Sequence, residues 1–151
     1  MPEFTCLPFA QLSLQQLYEL LALRQEVFVV EQDCPYLDAD GKDEPAHHLL
    51  GYNTQGQLIA YARLLPPGIS YPEYASIGRV ITAMPARRTG AGKALMRESL
   101  QWCRQLYGAV PVKISAQVYL LKFYRSFGFQ EVGEEYLEDD IPHIAMVREW
   151  K

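Results

Sequence analysis

Thr82-Ala83-Met84-Pro85-Ala86-Arg87-Arg88-Thr89-Gly90-Ala91-Gly92-Lys93 is the stretch on which the reading of this chain turns. It follows Ser76-Ile77-Gly78-Arg79-Val80-Ile81, an apolar run that reads as a strand ending at Thr82. It leads into a helical pattern over Gly90–Tyr107, with Leu95, Ser99, Trp102 and Leu106 down one side and Gly108 as the stop. Two glycines at i and i+2 leave backbone N–H groups uncovered, and a helix N-terminus adds its partial positive charge. With Arg87, Arg88 and Lys93 beside them, these groups predict an anion site. Spacing excludes two phosphate loops. A Walker A loop needs Gly five residues before the Gly-Lys pair and Ser or Thr after it, where this chain has Arg87 and Ala94. A dinucleotide fingerprint needs a third Gly three residues after Gly92, a place held by Leu95. On spacing alone the loop is either a ligand site or a Gly-rich turn with solvated arginines.

Working outward, Ser13 with Gln16 three residues on is a capping-box pair that opens a helix carrying Leu14, Leu17, Leu20, Leu21 and Phe28 on one face. His48–Tyr52 and Leu58–Leu65 flank Asn53-Thr54-Gln55-Gly56 and read as a hairpin. Downstream of the loop come a strand at Val112–Ala116, a short helix at Tyr119–Ser126, and strands near Glu131–Leu137 and Ile144–Arg148. The predicted order, α–ββ–β–α–β–α–ββ, is an α/β arrangement in which helices flank a mixed, mostly antiparallel sheet. No linker, repeat or low-complexity tract divides residues 1–151, so one domain is expected.

The composition narrows the function. The chain carries 14 Lys plus Arg against 18 Asp plus Glu, a net charge of −4, which removes the nonspecific phosphate attraction on which nucleic-acid binding depends. No apolar run is long enough to span a bilayer, and the N-terminal residues lack the pattern of a secretory signal. Cys6, Cys34 and Cys103 form neither a metal pair nor a disulfide framework, so free thiols, a cytoplasmic setting and no metal are expected. Asp33, Asp38, Asp40, Asp43 and Glu44 do not fit a calcium loop, because the register that ends the Asp series at Asp40-Gly41 puts Tyr36 and His47 at its first and last ligand positions. The stretch is left as a solvated loop or as a wall that attracts a cationic substrate.

Arg87-x-x-Gly90-x-Gly92 after an apolar strand resembles the acyl-CoA pyrophosphate loop of the GNAT superfamily of N-acetyltransferases. Gln117-Val118-Tyr119-Leu120-Leu121-Lys122-Phe123-Tyr124-Arg125-Ser126-Phe127-Gly128-Phe129 resembles that family's Asn-x6-Tyr-x3-Gly-Phe segment, with Gln117 in the Asn place. Leu23-Arg24-Gln25-Glu26-Val27-Phe28-Val29-Val30-Glu31-Gln32-Asp33-Cys34-Pro35-Tyr36 is similar to the ElaA-like group of small bacterial acetyltransferases. So are Gly78-Arg79-Val80-Ile81 and Ile141-Pro142-His143-Ile144. The resemblance covers nearly the whole chain and implies the GNAT fold, acetyl-CoA as co-substrate and a small-molecule or peptide amine as acceptor.

By the same resemblance, Val80 and Ile81 hold the pantetheine arm and polarise the thioester, while Arg87, Arg88, Thr89, Gly90, Ala91, Gly92, Lys93 and Gln117 bind the cofactor. Tyr124 stands where the family places the general acid for the leaving thiolate; otherwise it is a helix tyrosine packed on the core. The strand before the loop lacks the Glu that many relatives use as base. Glu31, His48, Glu138 and His143, or a water chain, remain as candidates for the base and for acceptor contact. A second acidic cluster, Glu134, Glu135, Glu138, Asp139 and Asp140, adds to the expectation of a cationic acceptor. A homodimer is expected because small domains of this family commonly pair through the end of the sheet. Two alternatives stay open: an acyltransferase like the acyl-homoserine-lactone synthases, suggested by Leu23-Arg24-x-x-Val27-Phe28, and a non-catalytic acyl-CoA-binding module.

Overall fold

The computed structural model describes residues 1–150. The first helix, α1 (Leu14–Arg24), begins at the expected capping box: the Ser13 hydroxyl accepts from the Gln16 N–H at 3.0 Å, and the Ser13 N–H donates to Gln16 Oε1 at 2.8 Å. Leu20 and Leu23 turn into the core, but Leu14 stands in solvent, so the apolar face starts a turn later than its leucines suggest. The helix does not run on regularly to Phe28. Residues Gln25–Glu31 widen into a π-helical segment that turns Val27 into the core and leaves Val30 in solvent.

Seven strands form one sheet: β1 (Glu3–Pro8), β2 (His47–Tyr52), β3 (Leu58–Leu65), β4 (Ala75–Thr82), β5 (Val112–Gln117), β6 (Gln130–Glu138) and β7 (Ile141–Arg148), in the order β1-β2-β3-β4-β5-β7-β6. Every neighbouring pair is antiparallel except β4–β5. The β2–β3 hairpin closes on Asn53, whose side chain accepts from the N–H groups of Gln55 and Gln57, with Gly56 supplying the positive φ the turn requires. Strand β1 was not expected. It is a short edge strand bounded by prolines, with only Phe4, Cys6 and Leu7 among its apolar residues to signal it.

Helix α2 (Ala91–Tyr107) lays Leu95, Met96, Leu100 and Cys103 on one face of the sheet, against Ala62, Ile77, Val112, Ile114 and Met146. The short helix α3 (Leu121–Arg125), entered through a 3₁₀ turn at Val118–Leu120, adds Tyr124 to that cluster beside Phe129. On the other face α1 and the π-helical segment cover Leu50, Tyr61 and Ile81 with Leu20, Leu23 and Val27. No helix among the described residues is long and apolar enough to cross a membrane.

Candidate functional site

The one parallel junction in the sheet is also its weakest. Strands β4 and β5 pair only at Ala75–Val112 and Ser76–Lys113, then diverge. From Ile77 to Thr82 on β4 and from Ile114 to Gln117 on β5, the facing backbone edges have no ladder between them. Backbone N–H and C=O groups left this way demand partners. A cleft of about 910 Å³ opens at the divergence, bounded by the π-helical segment, β4, the loop after it, the start of α3 and the β6–β7 turn. Strand β4 is further disturbed by a bulge, in which Arg79 and Val80 together oppose the single Ala62 of β3, and Arg79 takes a φ of 51°.

The anion loop leaves β4 at Thr82, makes a 3₁₀ turn over Met84–Ala86 and reaches α2 through Gly90 at φ 89°. The first helical bond runs from the Ala94 N–H to the Gly90 carbonyl at 3.1 Å, so the N–H groups of Ala91, Gly92 and Lys93 precede the helical ladder. Gly92 has an ordinary negative φ, and a Cβ built on it meets nothing within 4 Å; the same holds for Gly78 on β4. Neither glycine answers to a turn or to packing inside the chain, which leaves room for a ligand against the backbone. Arg88 and Lys93 are exposed, whereas Arg87 is spoken for: it donates to Glu31 Oε1 at 2.6 Å and to the Thr82 carbonyl at 3.2 Å, tying the loop to the π-helical segment. Thr89 caps inward, its hydroxyl donating to the Ala86 carbonyl.

At the inner end of the cleft, Tyr124 is 7% exposed and packs edge-on against Phe123 and Phe129. Burial lifts its phenol to about 12, with the nearby Tyr119 adding to the shift. Its hydroxyl makes no hydrogen bond to any described residue. Gln117, at the open end of β5, keeps a buried Oε1 that also lacks a partner among the described residues. An orphaned acceptor of this kind costs about 1–3 kcal/mol unless something donates to it.

The acceptor-side candidates separate sharply. His48 is wholly buried, with Nδ1 at 2.6 Å from the Tyr61 hydroxyl and Nε2 at 2.9 Å from the Asp43 carbonyl. Both nitrogens are used and desolvation lowers its pKa, so His48 is a structural residue outside the cleft. Glu31 is the partner of Arg87. Glu138 and His143 are brought together across the β6–β7 turn, with His143 Nε2 at 3.6 Å from Glu138 Oε2. Ser115 donates to Glu138 Oε1 at 3.1 Å and also meets the Tyr136 hydroxyl.

Within the acidic stretch Asp33 and Glu44 are exposed, as a solvated loop predicts, but the three aspartates between them are not free to form a wall for a cationic substrate. Asp38, Asp40 and Asp43 are consumed by three arginines: Arg24 reaches Asp38 at 2.8 Å and Asp43 at 2.7 Å, Arg63 reaches Asp40 at 2.8 Å and Asp43 at 3.0 Å, and Arg79 reaches Asp38 at 2.8 Å. Arg24 is 0% exposed and Arg63 nearly so. The network staples residues 38–43 onto α1, β3 and the β4 bulge. The same loop meets the far half of the sheet, where Tyr36 donates to Asp140 at 3.0 Å and Cys34 Sγ lies 3.5 Å from the Asp139 carbonyl. The signal for the network was legible: Arg24 and Arg63 each sit inside an apolar run, and a buried guanidinium needs carboxylates. Ser115 and Tyr136 carried no such signal.

Residues 12–150 match the model of the acetyltransferase (GNAT) domain family. The protein ElaA of Escherichia coli strain K12 is 46% identical over 151 residues, covering 99% of this chain and 97% of its own length. The crystal structure of E. coli ElaA superposes with a TM-score of 0.91. The structure of an acyl-CoA N-acyltransferase from Pseudomonas aeruginosa, 47% identical, superposes with a TM-score of 0.92 over 98% of this chain and 99% of its own. A CoA-dependent acyl-homoserine lactone synthase, BjaI, solved with SAM and isopentyl-CoA, superposes with a TM-score of 0.78 at 16% identity over 99% of this chain and 83% of its own, a likeness of fold alone.

Proposed function

The chain belongs to the GNAT acetyltransferase family and its ElaA-like group, and from that premise we propose that it transfers the acetyl group of acetyl-CoA to a primary, cationic amine, with Tyr124 as general acid. The observation that carries the reading is the divergence of β4 from β5 over a cleft that contains Gly78, Gln117 and Tyr124. The residues there fit an acyl-CoA. The N–H groups of Ala91, Gly92 and Lys93, with the Arg88 and Lys93 side chains, suit a pyrophosphate at a helix N-terminus. The open β4 edge suits an amide-bearing arm, and the orphaned Gln117 Oε1 suits one of its N–H donors.

Acetyl-CoA supplies the activated acyl thioester; the chain supplies position, charge and protons. Backbone groups at Val80 and Ile81, freed by the bulge and the divergence, hold the arm and polarise the carbonyl. Tyr124 is protonated throughout the neutral range, since burial holds it near 12. A free thiol near ~8.5 is a poor match for so weak an acid. Desolvation narrows that gap, because burial raises the pKa of a thiol. A thiolate formed against the buried Tyr124 side chain would be raised in the same direction, so its demand for the Tyr124 proton grows. Selection for a cationic amine rests on Glu138 and Asp139, which line the cleft, now that Asp38, Asp40 and Asp43 are neutralised.

The test is release of free CoA thiol from acetyl-CoA with a panel of polyamine, amino-sugar, peptidyl-lysine, neutral and anionic amines. Cationic amines should lead the panel. Tyr124→Phe should lose on the order of 10²-fold in kcat with unchanged acetyl-CoA affinity, the size expected for a general acid. Full turnover by the Phe variant would remove Tyr124 from the chemistry.

A further inference from the structure

The acyl-transfer reading leaves a proton unaccounted for, because an alkyl ammonium near ~10 must be deprotonated before its nitrogen can attack at neutral pH. Strand β4 offers no carboxylate for this. We infer that His143 Nε2 is the general base, held in the reactive tautomer by the β6–β7 turn; the inference rests on the acyl-transfer reading.

The geometry assigns the tautomer. His143 Nδ1 lies 2.7 Å from the Ile141 carbonyl, and a carbonyl only accepts, so Nδ1 carries the hydrogen and Nε2 is the nitrogen that holds the lone pair whenever the ring is neutral. The ring cannot swing away. It is 5% exposed, stacks on Tyr136 with 6.2 Å between centroids, and sits opposite Gln117 across the β5–β7 ladder. Its Nε2 is left to the Glu138 carboxylate at 3.6 Å and to the cleft that both residues line. Glu138 in turn is steadied by Ser115. The charged and titratable groups that face His143 are Glu138 and Tyr136 on β6; Gln117 and Ser115 on β5 are uncharged. Behind Tyr136 stand Tyr71 and Lys113, the ammonium 4.8 Å above the Tyr71 ring. The rival carboxylate Glu31 is held by Arg87, and His48 has no free nitrogen.

The acceptor ammonium gives one proton to His143 Nε2, and the freed lone pair forms the C–N bond as the C–S bond breaks, its electron pair leaving on sulfur. Tyr124 protonates that sulfur. The nitrogen's second proton passes through water to the tyrosinate, His143 returns its proton to solvent, and one proton is released per turnover.

The experiment compares spermidine, fully protonated at neutral pH, with hydroxylamine, whose conjugate acid is already dissociated there. In wild type, kcat/KM for spermidine should fall on the acid side with a slope of one. His143→Gln, first shown by thermal melting and acetyl-CoA binding to be folded, should lose about 100-fold or more with spermidine, but only a few-fold with hydroxylamine, which needs no base. Equal losses with both amines, or none with spermidine, overturn the assignment and leave His143 a packing residue. If wild type binds acetyl-CoA yet turns over neither amine, the acyl-transfer reading fails first and the base falls with it. An imidazole ¹⁵N spectrum of the free protein is an independent check, and a protonated Nε2 at neutral pH would contradict the tautomer.

Discussion

At the scale of single residues, the informative positions are those whose identity the chain itself does not require. Gly92 occupies the first turn of α2 at a φ that any residue adopts, and a Cβ there would touch nothing. Alanine should therefore stabilise the fold by about 0.5–1 kcal/mol, through the entropy that glycine loses on folding. The same methyl would stand where the backbone is left open for a pyrophosphate, so acetyl-CoA affinity should fall. A melting curve and a binding isotherm on Gly92→Ala separate the two effects. A variant that is more stable and binds as well as wild type would return the loop to a Gly-rich turn. The loop, Gln117 and Tyr124 could be named as candidates because each lies in a motif with fixed spacing, and Gln117 and Tyr124 do line the cleft. The roles of His48, Glu31 and Arg87 were not legible. Whether a histidine is a base or a buried strut depends on what fills the space around it. Here Tyr61 and the Asp43 carbonyl, 13 residues downstream and 5 residues upstream of His48 in sequence, decide that.

At the scale of elements, residues 38–43 behave as part of α1, β3 and β4 rather than as a loop. Removing one carboxylate from a buried arginine leaves charge without a partner, so Asp38→Asn, which weakens both Arg24 and Arg79, should cost about 3 kcal/mol. The pH dependence follows from Asp40 and Asp43. Both stay below the ordinary carboxylate range: desolvation opposes ionisation, but hydrogen bonds and charge from Arg63, and from Arg24 at Asp43, outweigh it. A depressed folded pKa contributes stability that is complete above the unfolded value of ~3.9 and is lost as pH falls through that value towards the folded one. Buried His48, with its pKa lowered by desolvation, acts over a higher window: the unfolded chain takes the extra proton as pH drops below ~6.5, so stability falls there too. Melting temperatures should decline in two stages on acidification, and His48→Gln should shrink the first to the share of His47, whose pKa desolvation also lowers, while leaving the second. Sequence showed these elements as periodicities, and Arg24 and Arg63 inside apolar runs signalled buried carboxylate partners, but not that Asp38, Asp40 and Asp43 would be the ones to supply them. Nor could it show that the helix after Arg24 would widen, since that depends on Val27 seating against Ile81 and Tyr61.

At the scale of the whole molecule, the sheet is two blocks joined at one end. Strands β1–β4 with α1, and β5–β7 with α3, share two register pairs, the packing of α2 across both, and the contacts of Cys34 and Tyr36 with Asp139 and Asp140 at the far side. A ligand seated in the divergence would touch both blocks and satisfy backbone edges that neither can satisfy alone. Binding to the folded state alone then adds about 2.7 kcal/mol at 100 times Kd, a rise of roughly 5–11 °C in melting temperature for a domain of this size. Acetyl-CoA should produce that shift, and amide exchange should slow on Ile77–Thr82 and Ile114–Gln117 together, because one molecule bridges both edges. ATP and NAD carry comparable phosphates without the amide arm, so they should engage only the α2 N-terminus and leave the β4 and β5 amides exchanging as before. Equal shifts with all three would mean that the loop binds any phosphate and that the divergence between the strands is not where the acyl donor lies.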